Sequence, residues 1–323
     1  MQARETICKY YAERNTSISP EQIILTSSSS EAYSLLFRLL CNVGDEILVP
    51  KPSYPLFDYL ADINDVLIKH YRLEYDGNWN IDVKNIQKNL FPNAKAIILV
   101  NPNNPTGSFV SNEEREKIYS IASERQLAII EDEVFADFRF SMFGLKLNTP
   151  SSFEHQPLSF LLNGISKTLA LPQMKLGWII VEGDEVRKHE ALQRLEILTD
   201  TYLSVNTPIQ NALPKLFSLR KEIQEEIVQR VKTNYQFLQQ TLLNSPCSIL
   251  NAEGGWSAIL RIPNTKSDEQ FAIELLEQEN VLVYPGHFFD FDNEGYFVLS
   301  LLPKCATFSA GIMCIAHFFS SHK

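Results

Sequence analysis

Lys167 stands in the run Asn163-Gly164-Ile165-Ser166-Lys167, eight residues ahead of a second base, Lys175, which precedes Gly177-Trp178. A lysine amine taken partly out of water gives up its proton more easily and can attack a carbonyl carbon to form an imine. The residues that would serve such an amine lie upstream. A serine run occupies positions 27–30, Tyr54 sits within Lys51-Pro52-Ser53-Tyr54-Pro55, and Asn104-Pro105-Thr106-Gly107 follows an apolar run. An acid, Asp132, ends another.

Taken one by one, each feature has two readings. Ser27-Ser28-Ser29-Ser30-Glu31 enters a helix, whose free N–H groups and positive dipole end could hold a phosphate. The same serines could simply cap that helix. Asn104 lies in a stiff turn that could aim its amide at a ligand, or be a turn and no more. Asp132 follows an apolar flank, where a carboxylate stays charged only beside a cation such as a protonated pyridine nitrogen; otherwise it caps the next loop. Tyr54, bracketed by prolines, could stack on a flat ring or serve packing. Lys175 could balance an anion or be solvated.

The elements that must position these residues alternate. Helix is expected over residues 2–14, strand over 23–26, an amphipathic helix over 30–41 and strand over 46–49. Apolar runs at 96–100 and 127–130 have the composition of buried parallel strands. Between them Ser111 and Glu114 form a capping box. Strands follow at 158–162 and 176–181. This alternation predicts a mostly parallel sheet flanked by helices, an α/β fold. Thr207-Pro208 opens a helical segment reaching about Leu243. Strand at 256–262, helix at 268–279, strands at 281–284 and 296–301 and helix at 309–319 make a smaller α+β unit. The expected division is 1–210 and 211–323. Every residue singled out above falls at a strand end, where open α/β sheets bind ligands.

Composition narrows the classes. The chain has 323 residues, a length that suggests one large domain and a smaller one. A net charge of −10 argues against a nucleic-acid partner. No apolar run approaches the roughly 20 residues of a membrane helix. Cys8, Cys41, Cys247, Cys305 and Cys314 include no C-x-x-C pair, which reads as reduced thiols in a cytoplasmic protein without a metal site.

Together, in this order and spacing, the serine turn, Tyr54, Asn104-Pro105-Thr106-Gly107, Asp132, Ser166-Lys167 and Lys175 resemble the class I/II aminotransferases of fold-type I pyridoxal phosphate (PLP) enzymes. The resemblance spans essentially the whole chain, including Pro285-Gly286. It implies that Lys167 holds PLP as an imine and moves the substrate's proton, and that Asp132 keeps the pyridine nitrogen protonated. Asn104 would bond the ring oxygen, Tyr54 would stack on the ring, and Ser28, Ser29, Ser30 and Lys175 would bind the phosphate. The implied activity moves an amino group from an amino acid to a 2-oxo acid, in a homodimer. A carbon–sulfur lyase or other eliminating PLP enzyme, and a catalytically impaired PLP-binding paralogue, are the alternatives.

The sequence departs from that pattern at four places. Phe135 stands where the family has a tyrosine, so the imine should keep its proton more readily. Lys175 replaces a phosphate-binding arginine, losing the bidentate fork, and Gly164 replaces a serine. Val298 occupies the position of the arginine that clamps the substrate carboxylate, leaving Arg261 or His287 as substitutes, or a substrate that is not a standard α-amino acid. Residues 2–11 resemble the helix that follows the family's N-terminal arm, an arm expected to be missing here.

Overall fold

The fold is that of a computed structural model, which describes residues 1–140 and 156–321. Its first part runs α1 (Gln2–Ala12), β1 (Ile23–Thr26), α2 (Ser29–Leu40), β2 (Glu46–Lys51), α3 (Leu56–Asp62), β3 (Leu67–Tyr75), β4 (Trp79–Ile81), α4 (Val83–Lys88), β5 (Ala94–Val100), α5 (Asn112–Glu124) and β6 (Ala128–Asp132). Then come β7 (Ser159–Gly164), α6 (Ile165–Thr168), β8 (Gly177–Glu182) and α7 (Glu185–Tyr202). These strands form one sheet in the order β1-β8-β7-β6-β5-β2-β3-β4. The five from β7 to β3 are parallel, whereas β8 runs antiparallel to both β7 and β1.

Side-chain alternation fixes the register. Ile98, Ile130, Phe160, Leu162 and Ile179 face one layer with Leu36 and Phe37 of α2. Ile97, Leu99 and Ile129 face the other with Ile118 and Tyr119 of α5. Each such side chain removed from water contributes about 1.5–3 kcal/mol. An exposed helical pair such as Lys117–Glu113 contributes only about 0.2–0.5 kcal/mol. Apolar burial therefore sets the pairing, and a slip of one residue would send each set to the layer built for the other. The capping box at Ser111 forms as expected, with the Glu114 N–H donating to Ser111 Oγ at 3.2 Å.

The rest of the chain comprises α8 (Thr207–Ser218), α9 (Arg220–Leu242), β9 (Ser248–Ile249), β10 (Ser257–Arg261), α10 (Asp268–Glu279), β11 (Tyr284–Pro285), β12 (Tyr296–Ser300) and α11 (Cys305–Ser321). Its sheet, β11-β12-β10-β9, buries Phe297 and Leu299 against Val231, Leu238, Phe271, Leu275 and Phe308 of the helices. The other sheet face presents Ile259 and Val298 to Phe289 and to Trp79 at the edge of the larger sheet.

Two expectations change in form. The helix expected from 207 to about 243 breaks at Leu219, because its halves serve different cores. Ile209 and Leu213 pack on Ile7 and Tyr10 of α1, while Val231 and Leu238 belong to the smaller unit. The strand expected at 281–284 pairs only at Tyr284–Pro285, after Asn280 ends α10 in the left-handed region at φ 55°. We propose the two cores as separate domains dividing near residue 210, with α8 and the start of α9 bridging them.

Glu182 ends β8 opposite Ser159, is 7% exposed, and leaves Oε2 without a hydrogen-bond partner among the described residues. Burial first, then the charges of Glu133 and Glu131, push its carboxyl from 4.5 up to about 7, with Lys188 opposing. The fold favours the protonated form, so this term is fully stabilising below about pH 4.5 and is lost as pH rises through about 7. The full span amounts to about 3 kcal/mol. Glu182→Gln should therefore be more stable than wild type at pH 8.5, with the gain shrinking toward pH 5. Urea unfolding at both pH values measures it.

Candidate active site

The turn that carries Lys167 is built from the end of β7. Asn163 Oδ1 accepts from the Gly164 N–H at 2.7 Å and from Thr168 Oγ1 at 3.1 Å, clamping the short helix α6 to its strand. A Cβ on Gly164 would lie 3.1 Å from Gly177 Cα, and one on Gly177 would lie 3.0 Å from Thr26 Oγ1. The ends of β7, β8 and β1 thus meet backbone to backbone. That closeness brings the serine turn after β1 beside the turn that bears Lys167.

Asp132 is the last residue of β6 and is 7% exposed. Its Oδ1 accepts from the Val134 N–H at 3.0 Å and its Oδ2 from the Tyr33 hydroxyl at 2.9 Å. Burial raises its pKa; Val134, Tyr33 and the positive charge of Lys167 oppose that rise. Burial lowers the pKa of Lys167, and Asp132 pulls it back up. The acid at the end of β6 and the amine just past the end of the neighbouring β7 thus lie close enough to feel each other's charge, without forming an ion pair. The aromatic rings of Phe135 and Trp256 flank the amine, with centroids 5.4 and 5.2 Å from Nζ.

Ser28 caps α2, accepting from the Glu31 N–H at 3.1 Å, while Glu31 accepts in turn from the Ser27 N–H. Ser29 and Ser30 open the helix, where backbone N–H groups have no intrahelical acceptor and can receive an anion. Tyr33 lies one turn further along α2. One helix thus presents donors to an anion and steadies Asp132 through Tyr33, a role no local pattern announces because Asp132 lies 99 residues away. Lys175 is exposed in the left-handed region at φ 54° and forms no ion pair among the described residues.

Asn104 Oδ1 accepts from Ser257 Oγ at 3.3 Å. Its turn is held by Asn103, whose carbonyl accepts from the Gly107 N–H at 2.8 Å. The smaller unit crosses here: the Glu253 N–H donates to the Gly107 carbonyl at 3.1 Å and the Gly255 N–H to the Phe138 carbonyl at 2.8 Å. Trp256 packs edge-on against Phe135 and Phe138, with centroids 5.3 and 4.8 Å apart. No local pattern marks Trp256 as a site residue, because it reaches Lys167 only through this long-range crossing.

The remaining expected residues lie further out. Tyr54 is half exposed, its ring 6.5 Å from Phe289, in a loop tied by the Ser53 N–H to the Phe289 carbonyl at 3.0 Å. Val298 is buried with Trp79, Ile259 and Phe289. Arg261 is exposed near the Tyr296 hydroxyl, and His287 is exposed and stacks on Phe288.

Comparison with known proteins places this arrangement. The family model for aminotransferase class I and II matches residues 1–304. The chain is 27% identical to the glutamate-pyruvate aminotransferase AlaA of Haemophilus influenzae, over 99% of this chain and 81% of that protein. It is 28% identical to a tyrosine aminotransferase of Dictyostelium discoideum, over 90% of this chain and 72% of that protein. A solved alanine aminotransferase from Pyrococcus furiosus superposes with a TM-score of 0.90 at 25% identity, covering 99% of this chain and 82% of that one.

A Cβ on Gly254 would lie 2.5 Å from the Phe138 carbonyl oxygen and 2.9 Å from Phe109 Cε2. Gly254→Ala should thus cost about 1–3 kcal/mol of stability, the usual range for overpacking. It should also shift tryptophan emission as Trp256 is displaced. Urea unfolding followed by fluorescence reads both effects.

Proposed function

The chain belongs to the class I and II aminotransferases, and from that premise we propose that it uses PLP, held at Lys167, to move an amino group from an amino acid to a 2-oxo acid. The observation that carries this reading is the placement of a buried acid at the end of β6 beside a half-buried amine just past the end of the neighbouring β7, with the Phe135 ring 5.4 Å from that amine. The donor set fits the cofactor. A carboxylate held out of water with no paired cation suits a protonated ring nitrogen. The start of α2 suits a phosphate, and an amine of lowered pKa suits an aldehyde.

When bound, PLP supplies an electron sink that allows the amino acid's Cα to release its proton. Lys167 would have two tasks, to hold the aldehyde carbon and then, as a free amine, to take the proton from the substrate's Cα and pass it to the carbon it had held. Its lowered pKa increases the neutral fraction available for both. Asp132 would meet the ring nitrogen, with the Tyr33 hydroxyl and the Val134 N–H donating to its two oxygens. Ser28, Ser29, Ser30 and Lys175 bind the phosphate end. Asn104 bonds the ring oxygen and Tyr54 covers the ring from the rim. Phe135, in a tyrosine's place, offers no hydroxyl and keeps water from the amine.

Two further parts of the reading concern the whole protein. A second copy should cover the open groove of about 870 Å³ beside Ile197, Tyr202 and Leu203, apolar side chains that are 70%, 49% and 79% exposed. All five cysteines are free thiols, which suits a reducing cytoplasm.

Incubation with PLP should produce an imine absorbance band that borohydride fixes, and amino acids should convert that band to the pyridoxamine form. Lys167→Ala should abolish both. Asp132→Asn should still bind PLP while lowering kcat about 10²–10³-fold, the loss expected when a preorganised charge is removed. Unchanged spectra in Lys167→Ala would sink the assignment.

A further inference from the structure

The indole of Trp256 borders the cleft beside Lys167, yet its buried Nε1–H has no hydrogen-bond acceptor among the described residues. A buried donor left unpaired is unfavourable, and in a folded protein it calls for an explanation. Indole nitrogen only donates, so what completes it is an acceptor. The chain invests heavily in placing this ring. Backbone bonds from Glu253 and Gly255 strap the segment to the larger unit, and Gly254 passes too close to Phe138 for any side chain.

The surroundings narrow the acceptor. The wall formed by Asn103, Asn104, Pro105, Gly107, Phe135 and Gly254 to Ser257 carries no basic side chain. Val298 is enclosed in an apolar cluster and offers no charge either. An anion arriving here meets neutral donors instead of a guanidinium. In an α-amino acid the carboxylate carbon lies two bonds from the amine nitrogen. A substrate amine at the position of Lys167 Nζ lies over this ring, 5.2 Å from its centroid, so a carboxylate two bonds away is within reach of the indole.

We propose that Trp256 is a specificity-determining residue, and that its indole N–H receives the carboxylate of the amino-acid substrate in place of an arginine. The inference rests on the PLP-dependent reading given above. A single neutral donor makes weaker demands than a bidentate guanidinium, so the site should favour a carboxylate only moderately over a bare amine.

The test uses the PLP-loaded protein with 2-methylalanine and with isopropylamine, the same skeleton without the carboxylate. 2-Methylalanine has no Cα proton to lose and isopropylamine keeps one, so affinity is read from the cofactor's initial absorbance change, before any proton loss, and for 2-methylalanine from calorimetry as well. Wild type should bind 2-methylalanine more tightly. Trp256→Phe, which keeps an aromatic face but loses the N–H, should weaken 2-methylalanine about tenfold, on the order expected for a hydrogen bond to a charged group. It should leave isopropylamine unchanged. Trp256→His, which restores a ring N–H, should recover part of the loss. Equal binding of 2-methylalanine by wild type and Trp256→Phe, or equal weakening of both ligands, overturns the inference while leaving the PLP reading intact. A wild-type protein that shows no cofactor band overturns both.

Discussion

A carboxylate and an amine can share a buried cleft only if the protein supplies what water no longer does. For Asp132 the effective penalty of desolvation is on the order of several kcal/mol. Two donors, the Val134 N–H and the Tyr33 hydroxyl, take over part of the solvent's role, and the charge of Lys167 helps from a distance. The sheet makes this possible. Asp132 pairs with Val100 on one side and Leu162 on the other, so three parallel strands end together and their following loops open into one space. Removing the strand order would remove the cleft.

The second constraint is the joining of two units across that space. At one end the Gly107 and Phe138 carbonyls receive the strap that bears Trp256. At the other, Lys51 bonds Asp292 at 2.8 Å and the Ser53 N–H reaches Phe289. Between these ends Ile259 and Val298 bury against Trp79. The polar contacts set direction and the apolar patch sets strength, because partly exposed ion pairs contribute little. A segment held this way brings an aromatic side chain to the amine without any local sequence pattern to announce it.

That difference explains what could be read from the sequence. Strands 23–26 and 127–130, the capping box at Ser111 and the helix Asp268–Glu279 were legible because local periodicity and caps determine them. Asp132 stands out as the end of an apolar strand, whereas Lys167, three residues past the end of β7, stands out only in the company of the other motifs. The strand Leu67–Tyr75 was not, since Lys69, His70, Arg72 and Glu74 interrupt its apolar pattern at the sheet's outer part. The break at Leu219 was hidden because helical periodicity runs on both sides of it, and only the two cores distinguish the halves. Tyr33 and Trp256 were missed for the same reason: their partners are 99 residues away for Tyr33 and in another unit for Trp256.

One strand also sets two neighbouring acids in different surroundings. Glu131 and Asp132 are neighbours on β6, and both are buried. Side chains alternate along a strand, so they face opposite layers. Glu131 is met by Arg115 in an ion pair, by Asn101 Nδ2 at 3.0 Å and by the Tyr119 hydroxyl at 3.4 Å. That carboxylate has its counter-charge inside the fold, and it locks α5 to the sheet. Asp132 receives neutral donors and faces an amine outside ion-pair distance. The arginine stands on one face of the strand and neutral donors on the other, which leaves the two neighbouring carboxylates in different electrostatic surroundings.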